Sequence, residues 1–195
     1  MTLKISIIST SPRENSNSLK VAKRIKKVLE NQGFANIALA DFENYDIPLV
    51  GQGEINKEQL TNFQEKLINT WASGELLFFI VPEYNWFTSP QLINAVHQIG
   101  GEPFSHLFDN KVFAFCGVSS GRGGRMPSIE MTMLFNKIIS FTNTYSVISP
   151  KVYESHETGK NVDENGNSLG NTFYDNSLVQ FIDYSLRIAE RWVGN

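Results

Sequence analysis

The sequence predicts an α/β protein, a three-layer α/β/α sandwich built on one parallel sheet. Five stretches with strand character alternate with five stretches that carry apolar residues at helical spacing. Two of the strand stretches, residues 76–81 and 111–118, are predicted to be buried. The first is continuously apolar and the second is apolar from residue 112 onward, as expected of central strands covered on both faces. Such alternation favours parallel pairing with right-handed crossovers. With 195 residues, we expect a single domain over residues 1–195.

Each element follows from a local pattern. The predicted strands are residues 5–8, 36–40, 76–81, 111–118 and 145–148. The predicted helices are residues 19–33, 56–72, 90–99, 128–139 and 178–193. Gly33 ends the first helix, and Asn56 with Gln59 resembles a capping box at the start of the second. Several basic side chains of the first helix are expected to form a solvated face: Lys20, Lys23, Arg24, Lys26 and Lys27.

Charge and hydrophobicity exclude several classes of partner. The formal net charge is -3, which gives no electrostatic attraction for nucleic acid or an anionic membrane surface. No apolar stretch approaches the ~20 residues needed to span a bilayer. We therefore expect a cytoplasmic protein that binds neither nucleic acid nor membrane.

Cysteine and histidine usage argues against a disulfide and a metal site. The single cysteine, Cys116, lies in an apolar run, where a buried, unreactive thiol is expected. The three histidines, His97, His106 and His156, show no metal-ligand spacing with cysteine or carboxylate. We expect no bound metal.

The first loop, residues 9–18, is the most informative stretch. It joins the first strand to the first helix and is crowded with hydroxyl side chains and Arg13. A helix N-terminus with such donors favours an anion, because the first backbone N–H groups lack partners and the helix dipole adds positive charge. The loop lacks the glycines of a P-loop or a dinucleotide fold. A phosphate site and an ordinary helix cap both fit this pattern.

Two further loops follow buried strands. The second loop, residues 82–90, carries Tyr84, Trp86 and Phe87, which can pack against a planar ring or belong to a core or interface. The third loop, residues 119–125, has three glycines that permit close backbone approach to a ligand, although a plain turn also fits. Because ligands of open α/β sheets bind beyond the carboxyl ends of the strands, the three loops suit a ligand with a phosphate and a flat ring.

The polar stretch of residues 154–171 is too long for a plain connection. A lid, a dimer clasp and a disordered decoration are all open interpretations.

The three loops together resemble the NADPH-dependent FMN reductase family, which includes azo-, quinone- and chromate-reducing enzymes. The resemblance rests on SPRENSNS, PEYNWFTSP with LINAV, and VSSGRGGR, in that order, and it spans about residues 4–150. It implies a flavodoxin-like fold with a five-stranded parallel sheet of order 2-1-3-4-5. It also implies FMN as cofactor, NADPH as co-substrate and a homodimer or homotetramer.

Site residues are carried over from the same motifs. The resemblance implies that Ser11, Arg13, Ser16 and Ser18 hold the FMN phosphate. It implies that the isoalloxazine is lined by Pro82, Glu83, Tyr84 and Asn85. Its other side would be closed by Ser119, Ser120, Gly121 and Gly124.

Three departures from the family pattern concern the loops and the third helix. Thr10 stands where a glycine usually precedes the first loop serine. Trp86 and Phe87 replace the common Gly-Ser after PEYN, and Ile93 and His97 flank Asn94 where the family has lysine and aspartate. A bulky Trp86 could narrow access to the flavin.

The predicted function is an FMN-dependent NAD(P)H oxidoreductase that passes hydride from NADPH through flavin N5 to a small acceptor. Quinone, azo compound, metal oxyanion and free flavin all remain open as acceptors. No catalytic side chain is expected, because the cofactor carries the chemistry. The main alternative is a flavodoxin-like electron carrier without its own NAD(P)H reductase activity; a flavin-free binding or scaffold protein and a receiver-type domain are further alternatives.

Overall fold

A computed structural model describes residues 3–194, and its sheet is parallel with the order β2-β1-β3-β4-β5. The strands are β1 (Ile5–Ser9), β2 (Ile37–Asp41), β3 (Leu76–Pro82), β4 (Val112–Val118), β5 (Val147–Ile148) and β6 (Tyr153–Ser155). The helices are α1 (Asn17–Asn31), α2 (Asn62–Ser73), α3 (Pro90–Ile99), α4 (Arg125–Thr142), α5 (Thr158–Asn161) and α6 (Thr172–Val193). A 3₁₀ turn, Ser105–Phe108, precedes β4. The predicted flavodoxin-like α/β fold is confirmed.

The outer position next to β4 is shared by two short strands: β5, which the sequence predicted, and β6, which it did not. β5 pairs with Val112 and Phe113, whereas β6 pairs with Cys116–Val118 further along the same strand. Pro150 lies between β5 and β6, and proline has no N–H to continue the ladder. The structure therefore has six strands in five positions, and the chain re-enters the sheet beside the third loop.

The sheet separates two apolar cores. One core lies under α2, α3 and α4, and the other lies under α1 and α6. Phe135 of α4 is fully buried at the centre of the first core. Its ring lies 5.0–5.8 Å from five other aromatic rings, those of Trp71, Phe79, Phe108, Phe113 and Phe115. Cys116 is fully buried in β4, and burial raises the pKa of its thiol.

Several predicted helix boundaries were wrong because a polar first turn hides the start of an amphipathic pattern. α1 begins at Asn17, α4 at Arg125 and α6 at Thr172. The capping box predicted at Asn56 and Gln59 was also wrong, since these residues form a turn. The capping box lies instead at Thr61 and Gln64, so α2 begins later than predicted.

The basic side chains of α1 do not form a uniformly solvated face. Arg24 forms a salt bridge with Asp175 at 2.8 Å, and the Lys23 ammonium donates to the carbonyl oxygen of Glu164 at 2.9 Å. Lys27 donates to the side chain of Asn167. These contacts fasten the 163–175 segment to α1. Within residues 3–194, no helix has the length and apolar character needed to cross a membrane, and no group of three or more metal-ligating side chains could hold a metal ion.

Candidate functional site

A small cavity of about 80 Å³ lies where the carboxyl ends of β1, β3 and β4 meet the N-terminus of α1. Eight of the twelve predicted site residues line this cavity: Ser11, Arg13, Ser16, Ser18, Pro82, Glu83, Tyr84 and Ser120. The other four, Asn85, Ser119, Gly121 and Gly124, lie outside its lining. The volume suits a compact polar group such as phosphate, since a water molecule occupies about 30 Å³ in the liquid. A flat ring would lie outside the cavity.

Two serines at the start of α1 have different roles. Ser16 is the N-cap residue, and its hydroxyl oxygen accepts a hydrogen bond from the Leu19 N–H at 3.0 Å. Ser18 is only 1% exposed, yet its hydroxyl has no hydrogen-bond partner among residues 3–194. A buried hydroxyl without a partner is unfavourable. The Ser18 hydroxyl therefore fits a ligand acceptor at the positive end of the α1 dipole.

Arg13 and Tyr84 form the outer wall of the cavity. The guanidinium carbon of Arg13 lies 4.7 Å from the centroid of the Tyr84 ring, a cation–π arrangement. The Tyr84 hydroxyl lies 3.4 Å from the hydroxyl of buried Ser11. Because Arg13 is exposed, its charge is free to face an anion from the solvent side. Cavity, dipole, Ser18 and Arg13 together fit a phosphate-sized anion.

The second loop contains a tight turn, residues 84–87, with an unusual backbone. The N–H of Tyr84 donates to the carbonyl of Phe87 at 2.8 Å, and the N–H of Phe87 donates back at 3.1 Å. The two central residues, Asn85 and Trp86, have φ values of 50° and 76°. This is the pattern of a type I′ turn, which strongly favours glycine at its second central position. The family's usual glycine is thus explained, and Trp86 adopts this conformation at a cost of about 1–3 kcal/mol.

Glu83 joins the second loop to the third. Its carboxylate accepts a hydrogen bond from the N–H of Gly124, and its own N–H donates to the carbonyl of Val118 at 2.8 Å. The resemblance implied that Glu83 lines the isoalloxazine. The structure directs this carboxylate into the backbone of the third loop, where it holds the two loops at a set separation.

Gly124 lies beneath the third loop rather than on its surface. It is buried, has a φ of 104° and precedes the first residue of α4. Its carbonyl group packs directly on Gly117 of β4, so a Cβ at Gly117 would overlap the Gly124 carbonyl oxygen. Gly121, in contrast, is exposed, and a Cβ there would meet no atom within 4 Å.

Residues 155–158 hold the third loop in place through hydrogen bonds, and we call this segment the brace. The Ser119 carbonyl accepts hydrogen bonds from the Thr158 hydroxyl at 3.1 Å and the Thr158 N–H at 3.3 Å. The N–H of Gly123 donates to the His156 imidazole at 3.0 Å, and the N–H of Glu157 donates to the Gly121 carbonyl at 2.8 Å. The sequence does not predict this brace, because the hydroxyl and backbone groups that bond to each other are far apart in the chain.

The brace is supported by two buried tyrosines. The Tyr174 hydroxyl lies 2.7 Å from the hydroxyl of Ser155, and burial raises the pKa of Tyr174. Tyr153 donates its hydroxyl hydrogen to the Tyr174 carbonyl at 3.2 Å, and burial raises its pKa as well. Both phenols therefore stay protonated. Their hydrogen bonds hold the first part of the 154–171 stretch against the sheet.

Replacing Thr158 with valine is expected to loosen the third loop. The shape is kept, but the carbonyls of Ser119 and Ser155 lose the hydroxyl donor, which we expect to cost about 1–3 kcal/mol. Amide hydrogen exchange at Gly121 and Gly123 should accelerate, and urea unfolding should show the lower stability. Thr132→Val is the matched control, since the Thr132 hydroxyl bonds only within its own helix. Equal exchange in both variants would contradict the brace.

The fold and this cavity define a class: a flavodoxin-like α/β protein with a small polar cavity at the N-terminus of its first helix. The chain belongs to the NADPH-dependent FMN reductase family, whose model matches residues 3–151. Membership supports FMN-dependent NAD(P)H oxidoreduction in general. No functionally curated protein matches the sequence.

Solved structures of similar fold have low sequence identity. The flavoenzyme NAD(P)H:(acceptor) oxidoreductase FerB from Paracoccus denitrificans is 16% identical, with a TM-score of 0.62 over 96% of this chain and 98% of that chain. RosB with bound 8-demethyl-8-formylriboflavin-5′-phosphate is 15% identical, with a TM-score of 0.67 over 99% and 81%. An azoreductase from Bacillus anthracis is 12% identical, with a TM-score of 0.53 over 97% and 99%. These likenesses show the shared fold.

Proposed function

We propose that the protein is an FMN reductase-type enzyme that oxidises NADPH and reduces a small acceptor at one flavin site. The observation that carries the proposal is the unpartnered, buried Ser18 hydroxyl, which lies with Arg13 at the N-terminus of α1. In a phosphate site, a phosphate oxygen would accept the hydrogen bond for which the Ser18 hydroxyl has no partner among residues 3–194. Family membership supplies the identity of the phosphate bearer as FMN.

The roles of the chain's residues follow from their positions. Ser11, Ser18 and Arg13 would bind the phosphate, while Ser16 caps α1 by accepting a hydrogen bond from the Leu19 N–H. When bound, FMN would supply the redox chemistry by accepting a hydride from the nicotinamide and passing it to the second substrate. The loop N–H groups that are not bonded within residues 3–194, such as those of Asn85 and Ser120, would stabilise negative charge on the ring, as an oxyanion hole does.

The test is an anaerobic visible spectrum of the protein reconstituted with FMN, before and after addition of NADPH. A reductase binds FMN and loses the oxidised-flavin band on addition of NADPH alone. Stable flavin binding without bleaching would favour the electron carrier instead. Protein that stays colourless with added FMN would refute the flavin site.

Replacing Arg13 with alanine is expected to weaken FMN binding by roughly 10- to 100-fold, since a charge-assisted hydrogen bond contributes about 1.5–3 kcal/mol. Reduction by NADPH per bound flavin should stay near wild type, because Arg13 would contact the phosphate and not the ring. Titration of FMN fluorescence measures the affinity. Arg187→Ala, which removes an exposed charge from α6, is the control. Unchanged affinity in the Arg13 variant would remove this residue from the phosphate site.

We also propose that the protein forms a homodimer through α3 and α4, which lie on the same face of the sheet. Three of the exposed apolar side chains on these helices are Ile93, Ile129 and Met133. Ile93 is one of the departures from the family pattern. Sedimentation velocity should give twice the mass of the chain, and a monomer would contradict the proposal.

A further inference from the structure

The turn at Trp86 carries backbone strain that no internal packing offsets. Trp86 has a φ of 76°, and its side chain is 72% exposed. The neighbouring Phe87 is 63% exposed. Neither ring takes part in the aromatic pairs formed within residues 3–194. A bulky residue at a position that suits glycine, with its ring left in solvent, indicates a functional use of that ring.

The position of the turn indicates what the ring contacts. Tyr84, at one end of the turn, lines the phosphate cavity. Thr88, just beyond the other end, donates its N–H to the Glu130 carboxylate at 2.8 Å. This bond holds the loop against the first turns of α4, where Met126 is 43% exposed. Trp86 and Phe87 therefore lie in the turn between a residue that lines the cavity and a residue that is bonded to α4.

The charge of the second loop narrows the chemistry of that substrate. Between residues 82 and 90 the sequence has one charged side chain, Glu83. Its carboxylate is bound to the N–H of Gly124. Residues 82–90 thus offer aromatic surface without a cation of their own, and the cation that lies over the Tyr84 ring, Arg13, is assigned to the phosphate. The exposed aromatic side chains of this loop therefore suit a neutral planar ring better than a metal oxyanion or another small anion.

We propose that Trp86 is a specificity-determining residue that binds a neutral, planar aromatic acceptor of the quinone type by stacking beside the flavin site. This inference rests on the proposed function and selects among its acceptors. It also accounts for the strained turn: replacing the glycine at this position adds a rigid aromatic surface that glycine cannot provide.

The test compares two acceptors in the FMN-loaded enzyme: 1,4-naphthoquinone, which is planar and neutral, and ferricyanide, which is a small anion. Trp86→Gly should raise the KM for naphthoquinone about tenfold with kcat unchanged, the equivalent of ~1.4 kcal/mol of lost binding. The rate with ferricyanide should stay within about twofold. FMN affinity should not change. Trp86→Phe should keep most of the naphthoquinone binding, and Phe173→Ala, which removes a ring that is 83% exposed on α6, is the control.

A second readout does not depend on turnover. Naphthoquinone should quench the tryptophan emission of the oxidised wild-type protein saturably, and this quenching should be lost in Trp86→Phe. The other two tryptophans are buried in the core or stacked on Tyr145. Trp86→Gly should also raise the melting temperature, because glycine adopts a positive φ freely.

Three outcomes would overturn the inference. An unchanged KM for naphthoquinone, or an equal change for both acceptors, would show that Trp86 does not select the acceptor. If Trp86→Gly converts a dimer to a monomer while the relative activity with the two acceptors stays unchanged, Trp86 belongs to a subunit contact. Should Trp86→Gly fail to fold, Trp86→Asn repeats the comparison, since asparagine also tolerates this backbone. Failure of the proposed function is separate, because wild-type protein would then not be bleached by NADPH.

Discussion

Replacing Gly117 with alanine is expected to destabilise the protein by more than ~3 kcal/mol and to abolish measurable FMN binding. The added Cβ would overlap the carbonyl oxygen of Gly124, a backbone atom that cannot rotate away. Relief requires the third loop to move off β4. That movement would break the bond between Gly124 and Glu83 and separate the second loop from the third.

Urea unfolding and FMN fluorescence titration measure the two effects. Gly101→Ala is the control, because a Cβ at Gly101 meets no atom within 4 Å, and its stability should change by less than ~0.5 kcal/mol. Wild-type FMN affinity in a folded Gly117→Ala variant would show that the third loop does not form part of the flavin site.

Phe135→Ala should lower the free energy of unfolding by about 3–5 kcal/mol. The Phe135 ring is fully buried among five aromatic rings of two strands, α2 and the 3₁₀ turn, which cannot all shift to fill the space left behind. For a chain of this length, the melting temperature should fall by roughly 10 °C. The FMN affinity of the folded fraction should stay near that of wild type, since this core lies between the sheet and α2, α3 and α4, away from the cavity.

Phe141→Ala removes a ring of the same size from the same helix, where it is 69% exposed, and should leave stability within ~0.5 kcal/mol of wild type. Equal stability of the Phe135 and Phe141 variants would mean that α4 is not packed on the sheet through Phe135.

Much of the site could be predicted because its signals are local. Ser16 and the residues around it act through the first turn of the helix that they begin, so the type and order of nearby side chains were sufficient to predict a helix N-terminus rich in hydroxyl donors there. The position of Pro90 at the start of α3 was likewise predicted, because proline suits the first turn of a helix. The family resemblance of the three loops, and the sheet order that it implied, were confirmed.

Other features depend on partners far apart in the chain. The bond between the Glu83 carboxylate and the N–H of Gly124, which is 41 residues away, was not predicted. The 154–171 stretch was left open between a lid, a clasp and disorder. Its first part is a strand and a brace, since Ser119 supplies an acceptor 39 residues earlier for the Thr158 hydroxyl.

By itself, the sequence determined the alternation of strands and helices, the two continuously apolar central strands and the crowding of hydroxyl donors before α1. Each of these follows from side-chain periodicity or from a bond within one turn of the chain. Only the tertiary structure decided the sixth strand, the Gly117–Gly124 contact, the attachment of Arg24 to Asp175 and the strained backbone at Trp86. These features depend on contacts between residues that are far apart in the chain and that the folded sheet brings together. The spacing of residues in the sequence does not predict such contacts.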